Sequence, residues 1–480
     1  MKKEKVINKQ KSFSSINFKS FLSVVIILVA IIAISGILTL FIPQGAFLRN
    51  DNGEIISGTF TQGEVRGIAF WRVITAPFRV FFADGGITII MISLFLLIMS
   101  GVFNLLDKTN GIKIIMNKLV KKFSKRIKIV ICISVLFFML FGSLFGLFEE
   151  MITLLPFVIV LMLCLGFDSM TGLGVCLMAT CFGFSAAITN PFSIGIASNL
   201  AGVSISDGMW LRIIFFALVY GLVCWFLLVY TKKITKNPEK SLSYESDKAK
   251  RENLTISNDE ETLRDKKIFK VYLLFFIVEF LILLATALIR PISSLAVPIL
   301  AATFLIGGVI CGLIICEKKK DVFKYLLQGA VSMLPAVLLI ALASSVNLIM
   351  QESGILDTIM YYVINLLEGK NIFVCLIFIY ALILILQVFI GSASAKIFLV
   401  MPILIPICSV IGISPTLLIL TYCMADGFSD VFLPTNPVLL ISLSMADVSY
   451  GKWVKWTWKI QLAVLALSLL ILQVGVLVGF

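Results

Sequence analysis

The triplet Thr-Asn-Pro occurs twice in this chain, at 189–191 and at 435–437, each time inside an otherwise apolar stretch. The two copies are 246 residues apart, and the same offset pairs Pro156 with Pro402, Gly166 with Gly412 and Trp210 with Trp456. The chain is therefore an internal repeat in a single gapless register across this region. Proline removes a donor from a helix and leaves carbonyls one turn earlier unpaired, which a bilayer tolerates only where protein, water or an ion satisfies them. Interruptions at corresponding places in two halves are expected at the binding site of a secondary transporter.

Composition fixes the surroundings in which such breaks must exist. Hydrophobic residues make up 60% of the 480, charged residues only 14%, and the mean hydropathy is +1.06. Several runs exceed the roughly 18 apolar residues that span a bilayer, so the chain reads as an all-α polytopic membrane protein. The excess of 40 basic over 27 acidic residues is read as positive-inside bias, because the lysines sit beside apolar runs and form no separate basic domain; no nucleic-acid partner is expected. The ten cysteines fall mostly within apolar segments, without ligand spacing, and read as small hydrophobes. Histidine is absent, which removes the commonest proton shuttle and metal ligand. With no HExxH-like or nucleophile–base pattern, no enzymatic chemistry and no cofactor are expected beyond a coupling ion, Na⁺ or H⁺. The run at 21–42 is too long for a cleaved leader and is taken as an uncleaved first span.

Loop charge orients the spans. The lysine-rich residues 1–20, the stretch 113–128 with its seven basic residues, the linker 232–267 and Lys318 to Lys320 are assigned to the cytoplasm, and the charge-poor segment 43–67 to the outside. Alternation then places spans near 21–42, 86–106, 170–203 and 209–231 in a first repeat (21–231), and near 268–289, 293–316, 327–350, 415–446 and 457–480 in a second (268–480). These make about nine crossings. Two long apolar stretches, 129–166 and 372–412, start and end on one side and are predicted to be re-entrant hairpins with mouths on opposite faces. One additional span between the halves inverts the second repeat. The linker carries ten basic and eight acidic residues and is expected to be a flexible connector without chemistry. The stretches 70–82, with Arg72 and Arg79, and 451–455, with Trp453 and Lys455, read as interfacial anchors.

Ionisable side chains at membrane depth are the natural candidates for the site, since each costs roughly 2.5–3.5 kcal/mol at a helix centre. The first hairpin tip carries Glu149 and Glu150; the second reads Gly391-Ser392-Ala393-Ser394-Ala395-Lys396; Asp426 and Asp430 precede the second break. Lys396 falls at the repeat-equivalent position of Glu150, so the two either fasten the hairpins as an ion pair or face a common ligand. In the second case Glu149, Glu150, Thr189, Asn190, Ser392, Ser394, Lys396, Thr435 and Asn436 bind substrate, with Lys396 and the serines on a carboxylate. Glu150, Asn190, Asp426, Asp430 and Asn436 then couple an ion, with Na⁺ at the Asn190 and Asn436 oxygens. Asp168 reads as a helix cap.

The segments Ile42-Pro43-Gln44-Gly45, Glu149-Glu150 with Leu155-Pro156, Gly183-Phe184-Ser185 through Asn190-Pro191-Phe192-Ser193, and Asp426-Gly427-Phe428-Ser429 before Pro434-Thr435 resemble the YfcC-type and C4-dicarboxylate carrier family of the ion transporter superfamily, which also holds the p-aminobenzoyl-glutamate carriers. The resemblance implies two inverted repeats, hairpins meeting at a central site, a homodimer in the cytoplasmic membrane, and as substrate a dicarboxylate, a basic amino acid or a short-chain acid. Lys396 and Asp430 depart from the family pattern. Four carboxylates against one lysine favour a substrate with an ammonium, such as arginine exchanged for ornithine, over a Na⁺- or H⁺-coupled C4-dicarboxylate. An ion channel is the alternative of a different class, disfavoured by the absence of a repeated filter.

Overall fold

The computed structural model describes residues 18–48, 58–83, 86–115, 118, 126–253, 262–288, 295–365, 367 and 369–480. The chain is nearly all helical; among the described residues one small antiparallel ribbon pairs Gly45–Ala46 with Thr61–Gln62. Helix α1 (Phe18–Leu38) is followed by the short amphipathic α2 (Phe70–Arg79) and by α3 (Gly86–Lys108). The first hairpin rises as α4 (Ile127–Leu140) through a π turn at Phe141–Phe145, opens over 146–149, and returns through a 3-10 turn at Glu150–Leu154 into α5 (Leu155–Cys164). Next come α6 (Ser169–Leu173) and α7 (Ala179–Ser185), which stop at the first Thr-Asn-Pro; beyond it lie a π turn at Pro191–Gly195, α8 (Ile196–Ala201) and the long α9 (Met209–Lys236).

The linker contains α10 (Tyr244–Asn253), after which α11 (Leu263–Leu288), α12 (Ala296–Ile315), α13 (Lys319–Ser332), α14 (Leu334–Ser353) and α15 (Ile355–Asn365) lead to the second hairpin. That hairpin is α16 (Ile372–Phe389) and α17 (Ala393–Ile411); α18 (Pro415–Ser429), the second break, α19 (Pro437–Ala446) and α20 (Tyr450–Val478) complete the fold. Among the described residues seven helical stretches are long and apolar enough to cross a bilayer, two of them being the rising arms of the hairpins. Glycine and proline rather than length end the inner helices. Pro191 and Pro437 each sit at the first turn of the helix after a break, where a missing N–H costs nothing, and Asn190 and Asn436 cap those helices by accepting from the backbone N–H groups two and three residues on.

The two halves are built alike and cross-linked. Helices α1 and α2 of the first half pack on α14 of the second, and α12 and α13 of the second pack on α3 of the first. Helix α11 takes no part in this exchange; it occupies the stretch of chain where an additional span is expected between the halves. In each half the broken helix runs beside the rising arm of its own hairpin, so that tip and break arrive together: α7 packs on α4, and α18 packs on α16.

The hairpin mouths lie at opposite ends of α9, whose 28 residues make it about 42 Å long. At its start, Trp210 meets the Phe480 ring at 5.7 Å, and the Phe480 carbonyl accepts from the Ser414 hydroxyl (2.6 Å), which closes the second hairpin. Near its other end, the Tyr230 hydroxyl donates to Asp168, which closes the first. Asp168 is a cap as expected, accepting also from Thr171 N (2.8 Å) and Ser241 (2.6 Å).

Two expectations are corrected here. Residues 237–253 are not a bare connector. Asp247, 1% exposed, accepts from Ser169 N (2.8 Å) and Ser243 (2.7 Å); the Arg251 guanidinium reaches Phe167 O at 2.5 Å; and Lys250 donates to Ala446 O at 2.6 Å. Helix α10 thus bolts the mouth of the first hairpin to the end of α19. Burial holds the Lys250 ammonium below the ordinary lysine range, against the pull of Asp247 and Asp447. The charge runs of the linker misled because three of its charged side chains, Asp247, Lys250 and Arg251, turn inward onto loop backbone, while Lys236, Glu239, Lys240, Glu245 and Lys248 stay exposed. Residues 451–455 are likewise no interfacial anchor: they open α20, and Trp453 is buried, donating to Val431 O at 2.7 Å. Helix α2 does expose Phe70, Trp71 and Phe78, with Arg79 paired to Glu352. Residues 1–17, most of 113–128 and 254–261 lie outside the described residues.

Candidate substrate and ion site

Each hairpin tip meets a broken helix, and the loose backbone is satisfied locally. In the first half the Ser143 carbonyl accepts from the N–H groups of Ile188 (3.0 Å), Thr189 (3.3 Å) and Asn190 (3.1 Å), while the Thr189 hydroxyl donates to Leu144 O at 3.1 Å. Gly146, at φ +69°, lies so close that a Cβ there would stand 2.2 Å from the Asn190 amide oxygen. A buried arginine that the sequence reading passed over completes the support: Arg212 of α9 donates to Ile188 O (2.7 Å), Ile205 O and Asp207 O (2.9 Å). Its position beside Trp210 reads as headgroup chemistry, and its bond to Ile188, 24 residues away, leaves no local signal.

In the second half the charges concentrate. Lys396, fully buried, is ion-paired to Asp426, itself 1% exposed. This corrects the expected approach of Lys396 to Glu150, because equivalent residues meet across a pseudo-two-fold axis only if they lie beside it, and here Lys396 turns to the next helix of its own half. Asp430 accepts from Gln387 Nε2 (2.7 Å) and Asn436 Nδ2 (2.8 Å). Gln387 was also missed: it sits in an apolar arm, and only the tertiary fold brings it to Asp430. The Tyr422 hydroxyl donates to Ala393 O (2.7 Å) and steadies the second tip; Ser392 caps α17 by accepting from Ala395 N (3.4 Å), and Thr435 is buried within the second break. The Ser394 side chain lies outside the described residues.

The halves meet where α7 crosses α18. Ser185 donates to Met424 O at 2.8 Å, and a Cβ on Gly427 would come within 2.2 Å of Ser185 N, so only glycine permits the approach. The Ser193 hydroxyl lies near the Cys423 thiol, one helical turn before Asp426.

Several buried polar atoms around this crossing have no hydrogen-bond partner among the described residues. On the first half these are Asn190 Nδ2 and Ser193 Oγ; on the second, Asp426 Oδ2 and Gln387 Oε1. Each such atom costs about 1–3 kcal/mol if left dry. The Asn190 and Asn436 amide oxygens, expected as Na⁺ donors, are instead spent on their helix caps. Glu149 is half-buried and Glu150 buried, and neither forms an ion pair among the described residues. Beside them a small cavity is lined by Phe148, Met151, Leu155, Thr180 and Ser442, the last with an unpartnered buried hydroxyl.

The chain is similar to several known proteins. The chain is 28% identical over 397 residues (82% of it, 77% of the other) to an uncharacterized protein of Haemophilus influenzae, and 27% identical over 387 residues (77% and 74%) to the Escherichia coli K12 protein named "Putative basic amino acid antiporter YfcC". Among solved structures, the YdaH transporter of Alcanivorax borkumensis aligns over 96% of this chain and 98% of its own, at 17% identity and a TM-score of 0.43. The model of the C4-dicarboxylate anaerobic carrier family, DcuC, matches residues 21–477, and the chain belongs to that family.

Proposed function

We propose that this secondary transporter exchanges amino acids, with a basic amino acid such as arginine or ornithine as its substrate. The observation that carries the reading is the set of unpartnered atoms flanking the α7–α18 crossing, the Asn190 amide nitrogen and the Ser193 hydroxyl on one side and Asp426 Oδ2 and Gln387 Oε1 on the other. A zwitterion laid across the α7–α18 crossing matches both, its carboxylate towards Asn190 and Ser193 and its ammonium towards Asp426. The Arg212 guanidinium, bonded only to carbonyls, adds positive charge behind the carboxylate end.

Formal charge points the same way. Two carboxyl groups, Asp426 and Asp430, stand against one Lys396 in this buried site, an excess of acidic groups that suits a cationic substrate better than a dianion. Glu149 and Glu150 at the first tip add a second acidic place for a guanidinium. The name of the E. coli relative agrees with this substrate class.

The family description supports a second reading, a C4-dicarboxylate carrier whose coupling cations offset the acidic residues. Proteoliposomes decide between them. Vesicles loaded with ornithine are expected to take up labelled arginine, and unloaded vesicles not to; succinate uptake driven by a Na⁺ gradient without arginine exchange would sink the amino-acid reading. In the cell we place the chain in the cytoplasmic membrane with residues 1–17, the linker and the first hairpin's mouth inside, following the loop charges.

A further inference from the structure

Glu279 lies in α11, sixteen residues beyond Leu263, and so about 24 Å along the helix from its start. It belongs to neither hairpin nor break, yet it is 5% exposed in the middle of a 26-residue, largely apolar helix. A carboxylate at that depth needs a cation, several donors or a proton. Among the described residues no ion pair involves it, and its hydrogen-bond partner is the Thr303 hydroxyl of α12, 2.8 Å from Oε2.

That hydroxyl has a second neighbour, the Leu300 carbonyl, at 3.2 Å. Threonine has one hydrogen to give. With Glu279 ionised, Thr303 faces two acceptors and serves one. With Glu279 protonated, the carboxyl donates to Thr303 and Thr303 donates to Leu300, and both contacts become hydrogen bonds at once.

Among the described residues the surroundings supply no competing charge. From α12 come Gly307, close against Glu279 Oε1, and the Cys311 thiol. Two turns back on α11, Tyr272 is engaged with Thr109 at 2.6 Å. From the first hairpin the neighbours are rings, Phe137 and Phe141 each 5.9 Å from Phe280, and Phe157 5.6 Å from Phe276. Those rings belong to the arms of the hairpin, and α12 also packs on the 3-10 turn that begins at Glu150.

We propose that Glu279 and Thr303 form a proton-binding site between α11 and α12, whose occupancy sets the position of the first hairpin and thereby the pH dependence of transport. An ionised Glu279 breaks the Thr303 relay and draws water or a cation between α11 and α12. The hairpin that rests on both must then shift. The proposal relies on the chain being a transporter and not on which solute it carries.

Infrared difference spectroscopy on the full-length protein in lipid, titrated through neutral to alkaline pH without substrate, tests the site. A protonated-carboxyl carbonyl band is expected in the wild type, absent in Glu279→Gln, and moved to higher frequency in Thr303→Val, which keeps the acid but removes its partner. A band unchanged by both substitutions overturns the site. Initial-rate uptake against pH, with whichever solute the vesicles transport, tests its control of the hairpin: Glu279→Gln, which mimics the proton-bound form, is expected to flatten the profile at least several-fold. A wild-type profile in a folded Glu279→Gln protein overturns that control. If Glu279→Gln fails to fold, Thr303→Val carries the test, with a shifted profile expected and an unshifted one contrary.

Discussion

Removing one partner of the buried Lys396–Asp426 pair leaves an unopposed charge at membrane depth, so Lys396→Ala or Asp426→Ala is expected to lower stability by about 3–5 kcal/mol. Replacing both, as Lys396→Met with Asp426→Leu, is expected to recover most of that loss while abolishing exchange; melting in detergent and vesicle uptake read the two effects separately. Asn190→Ala removes a cap as well as a free donor and is expected to cost about 1 kcal/mol together with substrate affinity, whereas Asn190→Asp, which still accepts from Phe192 and Ser193, should fold normally and bind a carboxylate-bearing solute at least tenfold more weakly. Sequence alone reveals which side chains are out of place in a membrane, because a lysine or aspartate among leucines is visible without coordinates. It does not reveal their partners: Lys396 pairs with a residue 30 positions away, and Gln387 and Arg212 acquire their meaning only from distant acceptors.

At the scale of elements, the breaks and hairpins were legible because their causes are local: proline at a first turn, asparagine before it, and glycine where the chain reverses. The linker was not, because a helix with mixed charges looks the same whether it is solvated or docked. Asp247→Ala is expected to uncap the Ser169 N–H and free Ser243, lowering stability by about 1–3 kcal/mol in a detergent melt. A cost below a few tenths of a kcal/mol would show that α10 is not held by those bonds.

Across the whole molecule, the fold rests on a cross-exchange in which each half's outer helices brace the other half's inner ones. Single cysteines at Ser206 and Lys240, both exposed and at opposite ends of α9, are expected to react with an impermeant reagent from opposite sides of the membrane. Reaction of both from one side would overturn the opposed hairpins. An expectation of inversion could be drawn from charge and span count. The bracing could not, since helices equally apolar on all sides carry no mark of their neighbours.

The crossing of α7 and α18 limits how such a molecule can move. Where Gly427 lies against the Ser185 backbone there is no layer of side chains to act as a lubricant, and ridged helix surfaces in direct contact resist sliding. The two breaks therefore travel as one carriage. Any shear must occur along its flanks, against the bracing helices, so groups held on either side of the crossing keep their spacing while the helices around them move.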